Sequence, residues 1–166
     1  MYKITIIYDS KTGNTEKMAR ATATGAGEVS DIDVKLNHVE EADPDDLLNS
    51  DGIIIGSPTH CGVMSWKIKK FFDENTSTAW GKVDGKIAAA FSSSGGLGGG
   101  NEMAAMSMIN MLMNYGYLVF GLPEYAAPGV TAHYGAVAIG EPGEKELKSC
   151  KLLGQKTAQF VKQMNN

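Results

Sequence analysis

At 166 residues and 43% apolar content, with only two cysteines, the chain is sized for one domain around a full core. Its formal net charge of −4, without a long basic run or basic–aromatic interleaving, argues against nucleic acid and anionic membranes as partners. No segment is apolar enough to cross a bilayer, the start reads directly into a strand rather than a leader, and Cys61 and Cys150 lie far apart, so a reducing, cytoplasmic setting is expected.

Strand and helix signals alternate in chain order. Residues 3–8 read as a buried strand. Residues 14–27 read as a helix, with Ala19, Thr22, Ala23 and Ala26 at the spacing of an inner face. A second strand is expected over 31–36. Asp43-Pro44 opens a short helix, with Asp as cap and Pro in the first turn. Residues 52–56 (Gly-Ile-Ile-Ile-Gly) are a continuous apolar run, as in a strand covered on both faces. A helix over 65–73, a strand over 86–91 and a helix over 101–115 follow. Residues 117–120 start a fifth strand, and 144–163 form a closing amphipathic helix. Five βα units without a composition break predict one doubly wound parallel α/β domain over 1–166.

Between the first strand and its helix stands Ser10-Lys11-Thr12-Gly13-Asn14-Thr15. Hydroxyls, backbone N–H groups and the positive end of the helix dipole make an anion cradle there. The Walker pattern and its lysine are absent, so a triphosphate with Mg²⁺ fits poorly. A single monoester phosphate fits, which points to FMN. In a doubly wound sheet, ligands bind beyond the carboxyl ends of the strands. Loops 9–15, 56–64 and 92–100 all fall there and are expected to converge.

The second loop, Gly56-Ser57-Pro58-Thr59-His60-Cys61-Gly62-Val63-Met64, offers amides to the polar edge of a flavin. The third, Ser92-Ser93-Ser94-Gly95-Gly96-Leu97-Gly98-Gly99-Gly100, has little side chain to pack and suits close backbone approach to a flat ligand. His60 and His133 are the candidate proton donors or flavin-edge contacts, and His38 reads as surface. Cys61 reads as a small packed residue, Trp66 as helix packing, and Trp80 as an interface or ligand contact. Met103, Met106, Met108, Met111 and Met113 divide between the core and a soft protein-facing side. No spacing resembles a metal site.

The first loop resembles the hydroxyl-x-Thr-Gly-Asn-Thr pattern of flavodoxins. The stretches GSPTHCGVMSWKIKKFFD (56–73), GKIAAAFSSSGGLGGGNE (85–102) and HYGAVAIG (133–140) resemble the WrbA-type NAD(P)H:quinone oxidoreductases of that superfamily more closely. The resemblance implies a five-stranded parallel sheet in the order 2-1-3-4-5, with helices on both faces. It implies FMN held by Ser10, Thr12, Gly13, Asn14 and Thr15 at the phosphate. Pro58, Thr59, His60, Cys61, Gly62 and Val63 would line the isoalloxazine, and Ser92, Ser93, Ser94, Gly95 and Gly96 the ribityl and ring edge. His133 matches a position near the pocket, and Trp80 one that closes a neighbouring subunit's site in tetramers. NAD(P)H as donor and a quinone-type acceptor follow from it, and a dimer or tetramer is among the states it allows. Three departures stand out: no long insertion between Leu36 and Asp51, a short region after Leu122, and no aromatic in loop 92–100 to stack on the flavin. The expectation is hydride transfer from the nicotinamide, then two electrons to a quinone. The alternative is a flavodoxin that carries single electrons to a larger redox protein.

Overall fold

Ile4, Ile6 and Ile7 have no solvent exposure because their strand lies inside a parallel sheet and is covered on both faces. That strand, β1 (Tyr2–Tyr8), opens the chain in the computed structural model, which describes residues 1–165. The helix α1 (Asn14–Gly27) returns to β2 (Ile32–His38). The short α2 (Pro44–Leu48) starts at Asp43, whose carboxylate accepts from the Asp46 N–H while the Asp46 carboxylate accepts from the Asp43 N–H, a reciprocal cap. Then come β3 (Gly52–Pro58), α3 (Trp66–Glu74) capped by the Ser65 hydroxyl, and α4 (Thr76–Ala79), a single turn inside a stretch that reads as loop. The chain continues through β4 (Ile87–Ser94) and α5 (Asn101–Asn114).

The fifth sheet position is filled twice. β5 (Leu118–Val119) pairs with Ile87 and Ala88 at the start of β4. The chain then leaves the sheet as an antiparallel hairpin, β6 (Leu122–Ala127) and β7 (Val130–Ala132), and returns as β8 (Ala136–Ile139) beside Phe91–Ser94. The helix α6 (Glu144–Met164) closes the chain. The order 2-1-3-4-5 is the expected one, whereas the single fifth strand becomes two short strands around a hairpin.

Strand alternation sends Ile6, Ile54 and Phe91 to one face, under α1 and α6, and Ile7, Ile53 and Ile55 to the other, under α3 and α5. The two covering helices of the first face nearly touch. A Cβ on Gly25 would lie 2.0 Å from the Lys151 carbonyl oxygen, and one on Gly154 2.0 Å from that of Thr22. Among the described residues no helix is long and apolar enough to cross a membrane.

Candidate functional site

The three loops meet beyond the ends of β1, β3 and β4, fastened by backbone and hydroxyl groups. Asp9 N–H donates to the Gly56 carbonyl (3.0 Å) and Thr59 N–H to the Ser93 carbonyl (2.7 Å). The Thr15 and Ser93 hydroxyls bond at 2.9 Å in a buried position, linking the first loop to the third. Thr59 and Ser92 hydroxyls stand 3.4 Å apart, linking the second to the third.

In the first loop, Gly13 sits immediately ahead of α1 at φ 88, a conformation that L side chains rarely adopt. The Ser10 hydroxyl accepts from Gly13 N–H and Glu16 N–H, each at 3.2 Å. Asn14 and Thr15, at the start of α1, have backbone N–H groups with no acceptor among the described residues, as helix starts do without a capping anion. Thr12 is exposed and Asn14 half-buried, whereas the Thr15 hydroxyl is turned inward to Ser93. Lys17 is engaged with Glu141 and takes no part in the cradle.

The second loop narrows to a two-residue turn. His60 N–H donates to the Val63 carbonyl (2.9 Å) and Val63 N–H to that of His60 (3.1 Å), with Cys61 at φ 50 and Gly62 at φ 84 between them. Two successive left-handed residues make the turn of a tight hairpin. This lifts Cys61 into solvent, so the expectation of a packed thiol is corrected: the exposed cysteine is Cys61, and the buried one is Cys150. The Ser57 hydroxyl accepts from Ser65 N–H (2.7 Å) and donates to the Pro58 carbonyl (2.7 Å), fixing the way out to α3.

In the third segment, Ser92, Ser93 and Ser94 belong to β4 and are buried between β3 and β8, so the loop proper starts at Gly95. A Cβ on Gly95, Gly96 or Gly98 would meet nothing within 4 Å, and Leu97 at the tip is 91% exposed. This edge of the site is bare backbone.

His60 therefore stands in the loop cluster, but His133 does not. It precedes Ala136, the partner of Phe91, so it lies towards the middle of β4 rather than beyond its end. Its Nδ1 is 3.2 Å from the Leu122 carbonyl oxygen at the hairpin. Trp66, expected to pack within its helix, is 64% exposed. Trp66 and Trp80 instead flank a cleft of about 940 Å³ between α3, α4 and α5, with His60, Met111 and Tyr115 in its lining.

A group beside the first loop escapes sequence reading. The Asp9 side chain, 5% exposed as a residue, faces His38 Nε2 at 3.4 Å. Glu40 N–H donates to His38 Nδ1 (3.3 Å), which assigns the ring proton to Nε2 and aims it at Asp9. Lys67, 2.8 Å from Glu40, holds that carboxyl below its ordinary range. The available signal is topological: Tyr8 and His38 are register partners at the ends of adjacent strands, so Asp9 emerges next to His38. Among the described residues no three His, Cys, Asp or Glu side chains converge as metal ligands.

Donors at a helix start, an open glycine backbone and a hydroxyl-bonded floor suit a ligand with one terminal phosphate and a flat ring. The Flavodoxin family model matches residues 6–129. A flavodoxin of Aquifex aeolicus is 52% identical over 162 residues, covering 97% of this chain and 88% of that protein. An NAD(P)H dehydrogenase (quinone) of Archaeoglobus fulgidus is 34% identical over 193 aligned positions, covering 99% of this chain and 100% of that one. The latter alignment exceeds 166 positions, so that protein carries segments this chain does not. Among solved structures, a WrbA-like flavodoxin from Agrobacterium tumefaciens superposes with a TM-score of 0.78 at 25% identity, covering 98% of this chain and 99% of its own.

Proposed function

The chain belongs to the flavodoxin family and its cofactor is FMN, and from that premise we propose that it is an electron carrier of the flavodoxin type, exchanging electrons with a larger redox protein that docks on the loop end of the sheet. Bound FMN supplies the redox centre, able to take electrons singly or in pairs. The chain's part is to hold, tune and present it. Asn14 and Thr15 N–H groups, with Ser10, Thr12, Gly13 and the Asn14 side chain, bind the phosphate, and the α1 dipole offsets its charge. Pro58, Thr59, His60, Cys61, Gly62 and Val63 border the ring, and Ser92 to Gly96 border ribityl and ring edge. Backbone N–H groups of these two segments favour negative charge on the reduced ring. We assign proton handling at the ring edge to His60, and to His133 a place holding the hairpin through Leu122.

The observation that carries this reading is the exposed apolar rim at the loop end: Val63 at 50%, Leu97 at 91% and Met103 at 65%. Apolar side chains left in water around a redox site form a contact that expels water when a protein docks.

A second reading, NAD(P)H:quinone oxidoreductase, is favoured by one specific feature. Neither loop 56–64 nor loop 92–100 contains Phe, Tyr or Trp, so neither brings one of these large rings to cover the flavin, which leaves room for a nicotinamide or quinone to lie there. Anaerobic mixing of the FMN-loaded protein with NADH and NADPH separates the two. A carrier leaves the flavin absorbance unbleached by either nucleotide. Rapid bleaching, reversed by a benzoquinone, replaces the first reading with the second. The phosphate loop has its own check: Asn14→Ala weakens FMN binding by about tenfold, the loss of one hydrogen bond to a charged group, in a fluorescence titration. Unchanged affinity removes Asn14 from the cradle.

A further inference from the structure

Among the described residues, Asp46 and Asp9 are the buried carboxylates, and they are served very differently. Asp46 is met by the Lys35 and Asn37 side chains and by the Asp43 N–H. Asp9 has one side-chain partner among the described residues, His38, with Nε2 at 3.4 Å. A buried carboxylate so thinly paired is costly. This one stands one residue ahead of Ser10, whose hydroxyl already gathers the Gly13 and Glu16 N–H groups of the phosphate cradle. A phosphate held there lies on the order of 10 Å from Asp9 and has the same sign of charge, a separation at which salt screens a buried group little.

His38 has partners in place for two protonation states. Uncharged, with its proton on Nε2 towards Asp9, the ring accepts the Glu40 N–H at Nδ1 (3.3 Å). Charged, Nδ1 has a hydrogen of its own, gives up that donor, and finds Glu40 Oε2 at 3.5 Å. The other Glu40 oxygen is held by Lys67 Nζ at 2.8 Å, so Lys67 and Glu40 offset each other. The remaining groups around the ring supply no cation for Asp9. Tyr8, edge-on to His38 at 5.5 Å, is a neutral phenol whose proton is held more firmly through burial and the nearby Glu16. Glu16 and Arg20 of α1 pair with each other. Glu41, whose N–H donates to the His38 carbonyl (2.9 Å), adds a further negative charge.

We propose that His38 is a positioning residue for the cofactor: its positive charge offsets Asp9 and lets loop 10–15 hold the FMN phosphate more firmly, so the protein retains its flavin better in mildly acid surroundings than in alkaline ones. This rests on the phosphate lying at Ser10–Thr15, as in the function proposed above. Histidine is the side chain that ordinarily changes charge between about pH 5 and 8. One unit of charge at this separation alters the affinity about three- to tenfold.

Release of FMN on dilution of the loaded protein, read by recovery of flavin fluorescence at about pH 5.5 and 8.5, tests this in wild type, His38→Gln and His38→Lys. Gln keeps an N–H for Asp9 without charge, and Lys keeps the charge at both pH values. The second ionisation of the FMN phosphate, near about pH 6, is common to all three, so affinities are compared as ratios at each pH. At the lower pH wild type should match the Lys variant and bind about three- to tenfold more tightly than the Gln variant. At the higher pH it should converge on the Gln variant. The substitutions bracket wild type from opposite sides, so if a melting curve shows one misfolded, the other decides. Ratios that are the same at both pH values overturn the proposal, since a purely structural role of His38 moves both equally. Asp9→Asn should tighten binding several-fold at the higher pH, and an unchanged or weakened affinity there overturns it too. Asn14→Ala separates this failure from that of the site. If it weakens binding while the His38 ratios stay flat, the cradle stands and the role of the ring falls. If it has no effect, the phosphate lies elsewhere and both fall together.

Discussion

At one edge of the sheet β2 runs unbroken for seven residues beside β1, while at the other β5 and β8, two and four residues long, share a place and enclose a hairpin. The β2 edge is steadied by side chains: the Asp46 carboxylate, 1% exposed, receives Lys35 Nζ at 2.5 Å and Asn37 Nδ2 at 2.8 Å from the strand. The split edge is steadied by backbone approach, with β8 against Phe91–Ser94, the half of β4 that ends in the ligand loop. The site therefore depends on a short strand with little side-chain insurance. The edge remote from the third loop has the denser polar network.

The sharpest way to break this contrast is Gly135→Ala. Gly135 has φ 107, and a Cβ there would lie 1.9 Å from the Ala90 carbonyl oxygen. Backbone strain and a clash that no rotamer relieves predict a loss of about 3 kcal/mol in denaturant unfolding. Because β8 flanks Ser92–Ser94, FMN affinity falls with it. A variant that loses stability but binds FMN as before would show that β8 does not position the third loop.

Asp46→Ala is the matching lesion at the other edge. It leaves the Lys35 ammonium, the Asn37 amide and the Asp43 N–H without their acceptor, at a cost of about 2 kcal/mol. FMN affinity should stay unchanged, since the damage is on the far side of β1. A parallel fall in FMN affinity would erase the distinction between the edges.

A smaller effect probes the core beneath the split edge. Cys150 on α6 shares its cluster with Leu122, Ala132 and Ala136, and burial pushes its thiol from an ordinary 9.0 up to about 12. The fold keeps the proton that the unfolded chain releases above pH 9, so this contribution is complete below pH 9 and declines as pH rises towards 12. Cys150→Ala removes the titration, so the stability gap between wild type and variant changes by about 1 kcal/mol in the variant's favour from pH 9 to 10. A gap independent of pH would mean that the thiol is reached by water.

Much of this was readable in the residues. The apolar runs at Ile4–Ile7 and Ile53–Ile55 and the cap at Asp43 give their elements directly, because burial on both faces and a first-turn proline leave few alternatives. The convergence of the three loops follows from strand ends alone, once the sheet is taken as parallel. The split fifth position does not, since two- and four-residue strands are shorter than any periodicity can define. The hairpin does have a signal in the turn dipeptide Pro128-Gly129, set between Ala126-Ala127 and Val130-Thr131. Within the site, residue type marks where hydroxyls and glycines are but not which way they point. The Thr15–Ser93 bond and the left-handed Cys61 are set by tertiary contacts spanning tens of residues or by one neighbouring glycine.

The smallest effect repeats the largest one's substitution at the β2 edge. Gly27 ends α1 with a negative φ, and a Cβ there would rest 3.9 Å from Val34 Cγ2, an ordinary contact. Nothing has to move, and the unfolded chain loses freedom, so Gly27→Ala should stabilise by about 0.5 kcal/mol and leave FMN binding untouched. Set beside Gly135→Ala, one methyl group is then favourable where side chains define the edge and ruinous where backbones touch. If both substitutions prove costly, α1 meets β2 as tightly as β8 meets β4, and the contrast between the edges lies in their length alone.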